Sequence, residues 1–86
     1  MKEFTFKIND KNGLHARPAG VIVTASKSYE SEITIECEGK VASAKRLLSL
    51  MSLGATYGKE LNVSISGKDE EKAYEAIKHV LEEKLG

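Results

Sequence analysis

Each segment of this 86-residue chain that has regular hydrophobic patterning is apolar on one side only, and this limits how its elements can pack. Phe4, Phe6 and Ile8 alternate with polar neighbours, so residues 2–8 read as a half-buried strand. Ile33 and Ile35 alternate with Glu32, Thr34 and Glu36; Glu38 and Gly39 then read as a hairpin turn into a short strand over Lys40–Ser43. Leu61, Val63 and Ile65 mark a fourth strand, closed by Gly67. The intervening segments have helical spacing. After Pro18, the residues Ala19, Ile22, Val23 and Ser26 share one stripe; residues 47–53 form a short apolar helix ended by Gly54. Asp69 is expected to cap a last helix reaching about residue 84, with Ala73, Ile77, Val80 and Leu81 inward and Tyr74 and Leu85 at the margins. One-sided strands interspersed with one-sided helices predict an α+β open-faced sandwich. Its four-stranded antiparallel sheet carries three helices on one face and solvent on the other.

The length predicts a single domain over residues 1–86, with a small core and no room for a deep substrate cavity. Chemistry must therefore take place near the surface. The 13 basic and 13 acidic side chains cancel, which leaves no broad cationic face for nucleic acid or an anionic membrane. The balance is uneven, however: residues 1–27 hold five basic and two acidic side chains, and residues 28–86 hold eight and eleven. The amino-terminal portion is thus mildly positive and suits acidic partners. No apolar run approaches the ~20 residues that span a bilayer, and no targeting segment is visible, so a cytoplasmic location is expected. Cys37 is the only cysteine and lies in an alternating run, where it reads as a packing residue. His79 falls with Lys72, Glu75 and Glu82 on the charged face of the last helix and reads as a solvated surface histidine. No metal site and no cofactor are expected.

The chemistry concentrates in Gly13-Leu14-His15-Ala16-Arg17-Pro18-Ala19. Proline has no amide hydrogen and restricts the residue before it, so Pro18 belongs in the first turn of a helix that begins within residues 15–18. The first amides of such a helix are unpaired and its dipole is positive, which favours a dianion by ~0.3–2 kcal/mol. A histidine beside a helix start can simply be a capping or solvent-facing residue. Here Gly13 permits a tight turn that presents the side chain, Pro18 holds the helix start, and Arg17 adds a cation where the dipole already disfavours one. A bound phosphoryl group would resolve that conflict, with the amides of Ala16 and Arg17 donating to it.

Residues 43–54 form the second informative region. Leu47, Leu48, Leu50, Met51 and Leu53 crowd a helix of under two turns, which cannot bury all its sides. Either Leu47, Leu50 and Leu53 point inward and leave Leu48 and Met51 partly exposed, or the reverse. In both cases apolar surface remains beside Lys45 and Arg46, and it reads as the anchor and rim of a docking patch.

Taken together, the segment from Gly13 to Ala19 and the segment from Ser43 to Gly54 make the chain resemble the HPr family, the histidine-containing phosphocarriers of the bacterial phosphoenolpyruvate-dependent sugar phosphotransferase system. The likeness covers essentially all 86 residues. It implies the open-faced sandwich already expected. It also implies that His15 accepts a phosphoryl group on Nδ1 from phosphorylated enzyme I and passes it to sugar-specific IIA proteins. In that relay Arg17 would offset charge on the phosphoryl oxygens, the chain would be a stoichiometric carrier rather than an enzyme, and magnesium would belong to enzyme I. Lys45, Arg46, Leu47, Leu48 and Met51 would dock the partners, and the carrier is expected to be a monomer.

Two positions depart from the family pattern. Low-GC Gram-positive members carry a regulatory serine where Arg46 stands, so kinase control is not possible at this position. Gly20 stands where alanine or threonine is usual, and glycine costs a helix ~1 kcal/mol relative to alanine. Two other functions compete with the carrier. One is a regulatory paralogue that binds a transcriptional regulator or enzyme and uses phosphorylation as a switch. The other is a small phosphatase, which the absence of a second acid or base beside His15 ranks last.

Overall fold

The computed structural model describes residues 1–86 and shows the element order β1 (Lys2–Lys7), α1 (Ala16–Lys27), β2 (Glu32–Cys37), β3 (Lys40–Ser43), α2 (Leu47–Met51), β4 (Glu60–Ser66) and α3 (Glu70–Leu85). The four strands form one sheet in the order β1-β4-β2-β3, and all neighbours are antiparallel. The registers set Phe4 opposite Val63 and Val63 opposite Ile35, so the alternating apolar residues of three strands share one face. On the other face Thr5, Asn62 and Glu36 lie in one row. They are tied by bonds from the Thr5 hydroxyl to Asn62 Oδ1 (3.1 Å) and from Asn62 Nδ2 to Glu36 Oε1 (2.9 Å). The helices cover the apolar face, enclosing a core of 20 buried residues that includes Ile22, Ile33, Ile35, Leu50, Leu61, Ile65, Ile77 and Leu81. This is the expected open-faced sandwich.

Element boundaries depart from expectation in small, explicable ways. β1 ends at Lys7 rather than residue 8, although Ile8 keeps two backbone bonds to the 58–59 turn, from Ile8 N to Lys59 O and from Gly58 N to Ile8 O. α2 stops at Met51 rather than 53, because Ser52 and Leu53 turn back with their amides on Leu48 and Leu50 carbonyls. Leu85 is fully buried rather than marginal, and its carbonyl accepts the Asn9 and Asp10 amides, which closes the last helix. Val80 is only half-buried. The Glu38-Gly39 hairpin forms as expected, with both residues at positive φ, as a two-residue turn of this type requires. Cys37 is buried, and that burial pushes its thiol pKa up, as suits a packing residue.

Asp69 does not cap its own helix with its side chain. Its main-chain carbonyl accepts the Ala73 amide, while the carboxylate crosses to the turn between α1 and β2. There it accepts hydrogen bonds from the Ser31 hydroxyl and from the Glu30 and Ser31 amides, both 2.9 Å. Gly67 lies so close that a Cβ there would stand 2.7 Å from Ser31 Cα. The clamp thus joins two turns 38 residues apart in sequence.

These bonds, the Ser31 hydroxyl first and the Glu30 amide next, lower the Asp69 carboxyl from 3.8 to about 2. A carboxylate depressed in the fold lends stability that is complete above its unfolded pKa and is lost as pH falls through the folded value. Asp69→Asn is therefore expected to lower stability at pH 7 and to flatten the fall in Tm between about pH 4 and pH 2. Thermal melts across that range test this; an unchanged acid limb would contradict it.

Candidate functional site

The amino-terminal mouth of α1 takes its position from residues 10–14. Gly13 N donates to Asp10 O (3.0 Å), and Leu14 N donates to Ala55 O (2.8 Å). Gly13 has φ +66°, and a Cβ there would lie 2.7 Å from Ala55 O and 2.9 Å from Thr56 Cα. Only glycine meets both demands, so the turn that the sequence suggested is also a close backbone approach. Leu14 is buried and the following residue, His15, is exposed. Leu14 lies at a bend, where the His15 amide donates to the Gly13 carbonyl at 3.1 Å, and the chain leaves that bend with the imidazole exposed.

His15 is the N-cap of α1, with extended backbone (φ −99°, ψ −174°), and its side chain makes no capping bond. The first helical residues are Ala16, Arg17 and Pro18, in agreement with the expected start. The His15 carbonyl accepts the Ala19 amide at 3.0 Å, while the amides of Ala16 and Arg17 have no protein partner. The first turn contains no acidic residue. Arg17 is exposed and forms no ion pair. Two orphan amides, a positive dipole end and a free guanidinium therefore belong to the first helical turn, directly after an imidazole with no hydrogen bond of its own. That arrangement can receive a small dianion. Pro18 is buried and holds the helix axis without competing for a donor.

α2 resolves the alternatives left open by its leucines. Leu50 and Leu53 are buried, while Leu47, Leu48 and Met51 are 41%, 79% and 42% exposed, so Leu47 does not share the inward direction. A five-residue helix makes little more than one turn and faces the core only at its far end. The chain then runs directly into Ala55, the residue that pins Leu14, so the exposed apolar side chains lie close in sequence to the anchor of the His15 turn. Lys45 and Arg46 differ. Lys45 Nζ donates to Tyr29 O at 2.7 Å and secures the loop after α1, whereas Arg46 is exposed and unpaired. Neither the Lys45 anchor nor the Ala55 contact was visible in the pattern, since each joins segments distant in sequence.

The remaining candidates lie elsewhere. His79 is on the solvent face of α3, 3.8 Å from Glu83, away from any cavity. No group of three or more His, Cys, Asp or Glu side chains gathers to hold a metal ion, and no helix is long and apolar enough to cross a membrane.

An exposed imidazole at a helix mouth, outside the lining of every surface cleft, marks a class of small open-faced sandwiches that present a histidine to whatever approaches it. Comparison with known proteins narrows that class. Residues 2–83 match the family model described as the PTS HPr component phosphorylation site. The chain is 45% identical over 71 residues to the phosphocarrier protein HPr of Borreliella burgdorferi, covering 83% of each. It is 48% identical over 66 residues to that of Haemophilus influenzae, covering 77% of this chain and 78% of the relative. The structure of HPr-C-His from Thermoanaerobacter tengcongensis superposes with a TM-score of 0.90 at 40% identity, covering 95% of this chain and 92% of that one. The chain belongs to the HPr family of phosphocarrier proteins of the phosphotransferase system, which are carriers and not catalysts.

Because Gly13 combines a left-handed φ with backbone contact, Gly13→Ala is expected to destabilise the fold by about 1–3 kcal/mol, the range for a strained residue. Urea denaturation measures this. A change below about 0.5 kcal/mol, typical of an unconstrained surface site, would contradict the anchoring role.

Proposed function

We propose that this chain accepts a phosphoryl group on His15 Nδ1 from phosphorylated enzyme I and donates it to histidines of sugar-specific IIA proteins. The observation that carries this reading is the exposed, uncapped imidazole beside the unpaired amides of Ala16 and Arg17. Neutral imidazole is a competent nucleophile near pH 7, and the phosphoramidate it forms remains reactive enough to pass on. Transfer exchanges one N–P bond for another. The His15 lone pair attacks phosphorus, the donor imidazole leaves with the electrons of the broken bond, and each ring keeps the proton on its other nitrogen. The two amides and Arg17 take the phosphoryl oxygens as charge shifts onto this side. In-line alignment of the two rings supplies most of the acceleration, so each partner provides half of the site.

Leu47, Leu48 and Met51 are the apolar anchors of docking on this reading, and Arg46 supplies a rim charge beside Lys45. Because Arg46 has no hydroxyl, regulation by a serine kinase at that position is absent. The carrier acts as a monomer in the cytoplasm without cofactor. The regulatory alternative keeps the same docking face and uses the phosphoryl group only to switch it. Restoration of sugar uptake in cells lacking their own carrier separates the two, since a pure switch does not restore it.

Incubation with phosphoenolpyruvate, magnesium and enzyme I is expected to add one acid-labile phosphoryl group, read by intact mass. His15→Ala should abolish it while changing stability by no more than about 0.5 kcal/mol, as for an exposed site. Acceptance by that variant would sink the assignment. Arg17→Ala should slow transfer about 10–100-fold, the worth of one charge-assisted contact, without eliminating it. Met51→Glu is expected to weaken partner binding about tenfold and leave cooperative unfolding intact; loss of cooperativity would instead place Met51 in the core.

A further inference from the structure

β1 is an edge strand, because the sheet order β1-β4-β2-β3 gives it a neighbour on one side only. The register decides which of its backbone groups are left over. Ile8 N donates to Lys59 O, so in an antiparallel ladder Lys2, Phe4 and Phe6 exchange bonds with β4, while the amides and carbonyls of Glu3, Thr5 and Lys7 point away from it. No turn or loop supplies those groups with a partner. Proline or a bulge would blunt such an edge, and β1 runs its 6 residues without either.

Charges also protect edges, but here they select a register instead. Lys2 is drawn aside, with its ammonium 5.8 Å over the Tyr74 ring. Glu3 and Lys7 are exposed, carry opposite signs and form no ion pair within the chain. Antiparallel pairing with a second copy about a two-fold axis through Thr5 sets Glu3 of each copy opposite Lys7 of the other. Thr5 then meets Thr5 and Phe4 meets Phe6. In this register the outward amides and carbonyls of Glu3, Thr5 and Lys7 all gain partners. A slip of one residue turns bonding positions against non-bonding ones, and a slip of two sets Thr5 against Glu3 or Lys7 and loses both ion pairs.

We propose that β1 is a self-recognition edge, on which a second copy of this chain adds its own β1 antiparallel about Thr5 and joins the two sheets into one. The contact is isologous and closes on itself. β1 runs toward the His15 turn, since Ile8 bonds to the 58–59 turn and Leu14 to Ala55, so antiparallel pairing sends the two turns to opposite ends and leaves both imidazoles free. The inference does not rest on the carrier reading. Contact along one short strand buries far less than the ~1,200 Å² of a lasting complex, so the chain is a monomer when dilute and pairs as its concentration rises.

Sedimentation velocity of the full chain from about 10 μM to about 1 mM, the span of a weak association, should show reversible approach to a dimer. Over the same dilution series the largest amide shifts should fall on Glu3, Thr5 and Lys7. Glu3→Lys is expected to weaken the dimer at least about tenfold, because it opposes lysine to lysine twice, and adding Lys7→Glu should return it to within about threefold of the parent. Both positions are exposed, so Tm should move by less than about 4 °C in either variant. A chain that stays monomeric throughout overturns the proposal. So does association whose shifts fall on Leu48 and Met51, which would give the contact to α2, and so does a dimer that Glu3→Lys leaves unaltered. Failure of the double variant to recover with its melting intact overturns the register about Thr5; if that variant melts early, the parent's amide shifts decide. A dimer that survives dilution would mean exchange of whole β1 strands and overturn edge-to-edge pairing.

Discussion

The hydrogen bond from the Leu14 amide to the Ala55 carbonyl is the contact on which the geometry of the site depends. It forms where Gly13, at positive φ, leaves no room for a side chain against the backbone of Ala55 and Thr56. Leu14 is buried, the next side chain is exposed, and the chain then enters α1 with two unpaired amides. The same carbonyl lies four residues after the end of α2, so one backbone contact ties the His15 turn to the segment bearing the exposed Leu47, Leu48 and Met51. A single bond of this kind contributes only ~0.5–1.5 kcal/mol net. Its importance is positional.

The electrostatics of α1 follow from what the helix lacks. α3 opens with Glu70 and Glu71 against its positive dipole end, and Glu70 takes the Gly67 amide and the chain's terminal ammonium. α1 opens with no acid and with Arg17, so its dipole is left uncompensated. On the carrier reading, a phosphoryl group on His15 supplies the missing negative charge. On the same reading, the exposed setting of His15 leaves part of the site to a docked partner. No cavity excludes water around His15, and the low-dielectric surroundings that strengthen charge stabilisation arise only when a partner covers the site.

Much of this arrangement was legible before the fold was known, because the decisive signals are local. Pro18 can occupy only the first turn of a helix, and α1 begins two residues before it. The two-residue periods of β1, β2 and β4 place their apolar sides on one face, which is the face the helices cover. Other features depend on contacts between distant segments and left no local trace. Asp69 looked like a cap because it precedes a helix, yet three donors at Glu30 and Ser31 take its carboxylate across the fold. Leu47 shares helical spacing with Leu50, but α2 is too short for that spacing to decide burial. Lys45 read as a free rim charge, and the carbonyl of Tyr29 claims it. Gly20 showed its cost in the sequence; only the structure shows that no neighbour explains it.

The central claim is that the unpaired amides of Ala16 and Arg17 receive the phosphoryl group carried by His15. Amide proton and nitrogen shifts recorded before and after phosphorylation by enzyme I test it most directly, because an amide that begins to donate to a dianion moves downfield. The account predicts that the largest downfield changes fall on Ala16 and Arg17 and reverse as the acid-labile group is lost. Phosphorylation at His15 that left both amides unmoved, or placed the largest changes in another element, would contradict it.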